Sequence, residues 1–297
     1  MTSFTSFDRD NVLRNDERIV VEDLSQKRIA ILGLGKLGSL LLHGLMKKGL
    51  LTKETAIATV FHPAHAEALT SELGFEVGTD DRAAAEPADI ILISVKPPAV
   101  RQVCEQIRPV VNPSKLVISV AASVPTKSIE KFLAAEIPVV RAMPNTPCAV
   151  QEGMTGVCAG RFAEPHHLEL AQHLFDTVGR TVVVDEKYMD AVTGLSASGP
   201  AFIYVILESL AEAGVKVGLP RDVSTLLAAQ TALGAARLVL ETGHHPALLK
   251  DAVTTPAGCT IDGLMELEEG KLRVTLIKAV VKATERAKEL YVEEPSD

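Results

Sequence analysis

Two short stretches of this 297-residue chain combine residue types at spacings that can do chemistry. In LGLGKLGSLLLHGLMKKG, Gly33, Gly35 and Gly38 form a G-x-G-x-x-G directly after the strand-like KRIAI and at the start of a helical pattern. Three glycines at this spacing are a weak signal alone, but a strand before and a helix after are the context the motif requires. Gly33 allows a tight turn, Gly35 lets the backbone approach a pyrophosphate, and Gly38 lets the helix pack close to the strand. Gly33, Leu34, Gly35, Lys36, Leu37 and Gly38 would then bring free N–H groups and the positive end of a helix dipole to a dinucleotide. The plainer alternative is a tight turn with no ligand. The second stretch is VTTPAGCTIDGL, residues 253 to 264. Thr254 and Thr255 are cap-type hydroxyls, Pro256 presets φ, Ala257 and Gly258 leave the backbone bare, and a helix is expected from about Thr260. A carboxylate fits such a nest of N–H groups. Local chemistry alone fits an ordinary helix–helix turn with a Thr cap better.

Discrimination between the two nicotinamide dinucleotides is expected where the second strand ends, since an acid there accepts the ribose 2′-hydroxyl and repels a 2′-phosphate. The chain reads AIATVFHPAHAEAL, with His62 and no acid before Glu67. NADP is therefore favoured, with NAD as the alternative, because no Arg or Lys stands ready for the phosphate and His62 pairs with it only when protonated. Solvated loop positions are an equal reading of His62 and His65. No metal is expected: His166, His167 and His173 do not form an i, i+4 pair, and His244-His245-Pro246 reads as a loop before a helix. The four cysteines, Cys104, Cys148, Cys158 and Cys259, have neither CxxC nor metal-like spacing, which suits reduced thiols in the cytoplasm.

The elements that must carry these residues change character along the chain. KRIAILG, TAIATVFH, ADIILISV, KLVISVAA, IPVVRAM, GMTGVCAG and RTVVVD are short β-type runs, near-continuously apolar, as in strands covered on both faces. A mainly parallel α/β sheet domain of Rossmann type follows for residues 27 to 186. From 187 to 297 the pattern is all-α: long Ala-, Val- and Leu-rich helices, apolar around more of their circumference than one surface stripe needs, which suits buried helices or a subunit interface; a dimer or larger assembly through this half is expected, and a compact monomeric bundle would show similar composition. Residues 1 to 26 mix acids with Arg and read as an extension, not a transit peptide. A net charge of −8 without a basic stripe argues against nucleic acid as a partner. No apolar run was expected to reach the ~18 residues of a membrane span, so no membrane partner is expected.

Five strings in order, RAMPNTP (141–147), DAVTGLSASGPAF (190–202), GLPRD (218–222), HP (245–246) and LKDAVTTPAGCTIDGL (249–264), resemble pyrroline-5-carboxylate reductase, and the similarity runs from about residue 27 to 291. The resemblance implies NAD(P)H-dependent reduction of the cyclic imine 1-pyrroline-5-carboxylate to L-proline, by a Rossmann domain followed by a helical dimerisation domain, with dimers gathered into a decamer. It implies that Ser94-Val95-Lys96-Pro97 and Val120-Ala121-Ala122 line the cofactor cleft. It also implies that Thr255, Gly258, Cys259 and Thr260 belong to the substrate loop, with the catalytic Thr260 hydroxyl near the ring nitrogen and Glu186 near the substrate amine. This chain departs from that pattern where TPAGCT replaces SPGGTT or SPGGAT, so that Ala257 stands for a glycine. Ala252 stands where some members have Asn, GLSASGPAF replaces GLSGSGPAY, and Asp81 stands where an Asn often meets the cofactor.

A protonated imine is already electrophilic, so the chemistry asks mainly for near-attack positioning of the hydride. Two other readings remain open from sequence. A β-hydroxyacid dehydrogenase would want a Lys in the first long helix after the sheet, and SASGPAFIYVILESLAEAGVK has none before Lys216. A non-catalytic NADP-binding sensor would keep the fold with the altered loop.

Overall fold

The computed structural model describes residues 24 to 291, so most of the expected N-terminal extension lies outside the described residues. Eight strands form one sheet: β1 (Ile29–Leu32), β2 (Ala56–Thr59), β3 (Val77–Gly78), β4 (Ile90–Ile93), β5 (Leu116–Ser119), β6 (Val139–Met143), β7 (Gly153–Ala159) and β8 (Gly179–Val183), in the order β3-β2-β1-β4-β5-β6-β7-β8. All neighbours pair in parallel except β6 with β7. The chain leaves β1 for β2 on one side and later places β4 on the other, so the strand order reverses between β1 and β4. That reversal opens a crevice at the carboxyl ends of the strands, where α/β sheets bind ligands.

The continuous apolarity of the strands has the cause expected of it. On β1, Ile29 and Ile31 enter the core cluster on one face while Ala30 and Leu32 enter the cluster on the other. All four are fully buried. Helices α1 (Lys36–Lys47), α2 (Pro63–Leu73) and α6 (Pro165–Asp176) cover the first face. Helices α3 (Asp81–Ala85), α4 (Val100–Ile107) and α5 (Thr126–Leu133) cover the second. Each large side chain buried in this way stabilises the fold by about 1.5–3 kcal/mol. The two-residue strand β3 was not anticipated, being too short to carry a periodic signal.

After β8 the described residues contain no further strand. A short α7 (Met189–Val192) runs through a π-helical turn, Thr193–Ala197, into α8 (Gly199–Lys216), followed by α9 (Arg221–Thr242), α10 (Pro246–Ala252), α11 (Cys259–Glu269) and α12 (Leu272–Glu289). The last helix returns to the sheet domain. A Cβ on Gly194 would lie 2.8 Å from the Thr284 backbone nitrogen, so glycine is what lets α12 seat on the π-turn.

The expectation about apolar runs needs correction. The helical segments Glu186–Lys216 and Arg221–Thr242 are long and apolar enough to cross a membrane by length and composition, with mean hydropathy 1.3 and 1.4. Counting consecutive apolar residues missed them, because alanine-rich helices reach that average despite scattered charges such as Glu208 and Glu212. Little of either is covered within one chain: Tyr204, Val205, Leu226 and Leu240 are 58–69% exposed.

Candidate active site

The site begins at the end of β1. Gly33 has φ +97, in the left-handed region where only glycine sits without strain, and a Cβ there would meet Val95 Cγ1 at 2.7 Å. A Cβ on Gly38 would strike the Gly33 carbonyl, so the first turn of α1 is pressed onto the loop. Around Gly35 there is open space. Gly33 and Gly38 thus have the turn and packing geometry expected of them, and the space at Gly35 leaves its backbone accessible. Gly35 is the N-cap and carries no side-chain capping bond, leaving the first-turn amides of Lys36, Leu37 and Gly38 for another acceptor. The turn is fixed from below by Thr59, the last residue of β2, whose carbonyl accepts from Gly33 N (3.1 Å) and Leu34 N (2.9 Å).

The neighbouring strand ends bring up the other cleft residues. Ser94 follows β4, donates its N–H to the Leu32 carbonyl (2.8 Å) and lies beside Gly38. Val95, Lys96 and Pro97 continue along the rim, with Lys96 exposed. Val120 N bonds the Ile93 carbonyl, which sets Ala121 and Ala122 just beyond β5. His62 is exposed at the N-cap of α2, edge-on to Phe61 at 4.9 Å between ring centroids. The residues present fit a dinucleotide: a helix N-terminus without a side-chain cap sits at the strand-order reversal, with open space at Gly35.

Sequence reading missed what ties this cleft to the helical half. Arg141 on β6 is buried to 3% exposure, with its guanidinium 3.7 Å from Glu186 Oε1 and 3.4 Å from Asp190 Oδ1; its Nε has no partner among the described residues. Glu186 in turn accepts from Thr126 N (2.7 Å) and Thr126 Oγ1 (2.8 Å), closing the start of α5. Asn145 accepts from Met154 N and donates to the Ser196 carbonyl in the π-turn. Ser123, in the left-handed region at φ +68, donates to the Ala287 carbonyl near the end of α12. Arg141 and Asn145 both lie in RAMPNTP, so the signal was present as an arginine inside an otherwise apolar strand.

Glu186 is thus tied to the start of α5 and to β6, whereas the segment expected to form the substrate loop makes no such bond. Thr255 and Gly258 sit in the connection between α10 and α11, Cys259 and Thr260 in the first turn of α11, and no hydrogen bond or ion pair among the described residues joins them to the glycine loop. Their local geometry differs in part from expectation. The helix starts at Cys259, and the cap is Gly258 with no side-chain bond. Thr254 does not cap it: its hydroxyl donates back to the Lys250 carbonyl of α10. Ala257 has φ +56, a left-handed position that suits the glycine it replaces. The amides at the start of α11 are consequently open to an anion.

The other titratable groups stay outside this chemistry. Burial pushes the Cys104 and Cys158 thiols up to about 12 and raises Cys148, so these three are inert. No group of three or more His, Cys, Asp or Glu among the described residues is placed to hold a metal.

Residues 186–290 match the family profile described as pyrroline-5-carboxylate reductase dimerisation, and residues 28–123 match one described as NADP oxidoreductase, coenzyme F420-dependent. The chain is 42% identical over 267 residues to a pyrroline-5-carboxylate reductase of Methanosarcina acetivorans, covering 90% of this chain and 99% of that protein. Among solved structures, it resembles a pyrroline-5-carboxylate reductase from Coxiella burnetii with TM-score 0.81 and 35% identity, covering 90% of this chain and 99% of that one. A Plasmodium falciparum pyrroline carboxylate reductase with NADP bound gives TM-score 0.81 and 31% identity, covering 90% and 98%.

Proposed function

The chain belongs to the pyrroline-5-carboxylate reductase family, and from that premise we propose how its two halves divide the work of reducing 1-pyrroline-5-carboxylate to L-proline. The observation that carries the reading is the glycine turn, open at Gly35 and uncapped at α1, in a chain whose helical half presents a second uncapped helix start at Gly258. The dinucleotide, when bound, supplies the hydride. The chain's own residues do the rest. Gly33 to Gly38 hold the pyrophosphate, Ser94 to Pro97 and Ala121-Ala122 flank the cleft, and the first-turn amides of Cys259 and Thr260, with Thr255 and Gly258 beside them, grip the substrate carboxylate. The Thr260 hydroxyl orients the ring nitrogen. Glu186, held by Thr126 and Arg141, offers a carboxylate to the protonated nitrogen.

Positioning of this kind supplies roughly 7–11 kcal/mol of a barrier, against about 1.5–3 kcal/mol for one hydrogen bond to a charged group. Loop placement therefore matters more than any single side chain. Since Thr260 is not within bonding reach of the glycine loop in one chain, and the apolar faces of α8 and α9 are uncovered, we infer a homodimer in which the loop of one copy completes the cleft of the other, with dimers able to gather into a decamer. Covering those faces with a second copy also accounts for helices of membrane-like composition without a membrane. The α/β unit ends at Glu186 in this reading, and the four unpaired cysteines suit the cytoplasm.

NADPH is the coenzyme favoured by the turn after β2, where Val60, Phe61 and His62 carry no acid; NADH is the alternative. Loss of NADPH absorbance on adding 1-pyrroline-5-carboxylate, with L-proline formed in equal amount, is the expected result. Coenzyme binding without turnover would overturn the enzyme reading in favour of a sensor.

A further inference from the structure

The turn that ends β2, Val60 to His62, carries no acid along the sequence. In space an acid is there. Thr59 is the last residue of β2 and is 1% exposed; its hydroxyl donates to Asp81 Oδ1 at 2.5 Å, across 22 positions of chain. The same Thr59 holds Gly33 and Leu34 through its carbonyl. Asp81 is thus one residue removed from the glycine turn, on the side of β2 and not on the β4 side. Its helix is already capped by Asp80, whose carboxylate accepts from Arg82 N and Ala83 N, so Asp81 is not needed for that task. No cation pairs with Asp81 among the described residues, and its second oxygen carries no bond. Phe61, 81% exposed at the same strand end, presents an uncovered aromatic face on this rim.

We propose that Asp81 is the residue that sets coenzyme choice: its free carboxylate oxygen accepts the ribose 2′-hydroxyl of NADH and repels the 2′-phosphate of NADPH, bringing NADH into use beside NADPH. A Rossmann sheet ordinarily carries this acid on the end of β2 itself. Here α3 delivers it sideways, and the buried Thr59 hydroxyl fixes its aim. The inference rests on dinucleotide binding at the glycine turn, as proposed above, but not on the imine chemistry.

The test is calorimetric titration of the full-length protein with NADP+ and with NAD+ for wild type, Asp81→Asn and Thr59→Val, beside kcat/KM for NADPH and NADH. Asparagine keeps an acceptor for Thr59 and removes the charge, so Asp81→Asn should raise the NADP+ to NAD+ affinity ratio by roughly tenfold or more. Thr59→Val keeps the charge, so it should leave that ratio near the wild-type value or lower it even if both coenzymes bind more weakly. A ratio unchanged by Asp81→Asn, or equal losses for both coenzymes in both variants, would overturn the proposal and leave Asp81 a support of the glycine turn. Failure of wild type to bind either dinucleotide would instead sink the reading beneath it.

Discussion

Thr260 and Asp81 carry the sharpest expectations for single residues. Replacing Thr260 with Val removes one hydrogen bond to a charged ring nitrogen and should lower kcat/KM by about 1.5–3 kcal/mol in ΔG‡; unchanged kinetics would take Thr260 out of the mechanism. Converting His62 to Asp adds an acid to the turn after β2 and should move preference toward NADH. Identical ratios before and after would show that this turn does not touch the ribose. Burial is the main cause that lifts the Asp81 carboxyl above its ordinary 3.8. The folded chain then holds that proton more tightly than the unfolded chain, so the contribution of Asp81 to stability is greatest below that ordinary value and is lost as pH rises through the folded one. Asp81→Asn should therefore raise Tm at about pH 7 and leave it unmoved near pH 3.5; an equal gain at both would assign the effect to something other than charge. The glycines were legible from sequence because their roles are local. Asp81 was marked from sequence only by the resemblance, as standing where an Asn often meets the cofactor; its bond to Thr59 was not legible, because β2 and α3 bring the two together across 22 positions.

At the scale of elements, strand apolarity identified seven of the eight strands, since burial on both faces writes itself into every residue of a central strand. It could not find Val77–Gly78, where two residues carry no pattern. The start of α11 lies at Cys259, as expected to within a residue, but its cap was assigned to threonines, since cap propensity does not reveal that Thr254 turns back to close α10. The junction between halves was invisible for a related reason: Arg141 is far in sequence from Glu186 and Asp190, and it meets them only when β6 is brought against the start of the helical half. Replacing Arg141 with Met strips the partner from two carboxylates. Their side chains keep 32% and 28% exposure, so water offsets part of the loss, and the expected destabilisation is about 2 kcal/mol, below the 3–5 kcal/mol of a fully buried pair. Urea unfolding measures it, and a variant as stable as wild type would mean that the network is not structural support.

For the whole molecule, the uncovered helical half and the lack of any bond among the described residues between its loop and the glycine turn have one common explanation in the proposed pairing of two chains. Leu226 and Leu240 are exposed by 69% and 58% in a single chain, and placing Glu at both should dissociate the assembly in sedimentation experiments and abolish turnover together. A variant blocked at Gly35 by Glu and another blocked at Gly258 by Asp should each be inactive, and mixing them under subunit exchange should restore turnover; no recovery would place both halves of the site within one chain. The most direct measurement is a crystal structure with NADP+ and L-proline bound. The proline carboxylate should lie within hydrogen-bond distance of the main-chain N–H groups at Gly258 to Thr260, with its ring against the nicotinamide held by the glycine turn. Proline bound away from that connection, or the connection facing solvent while the coenzyme is in place, would contradict it.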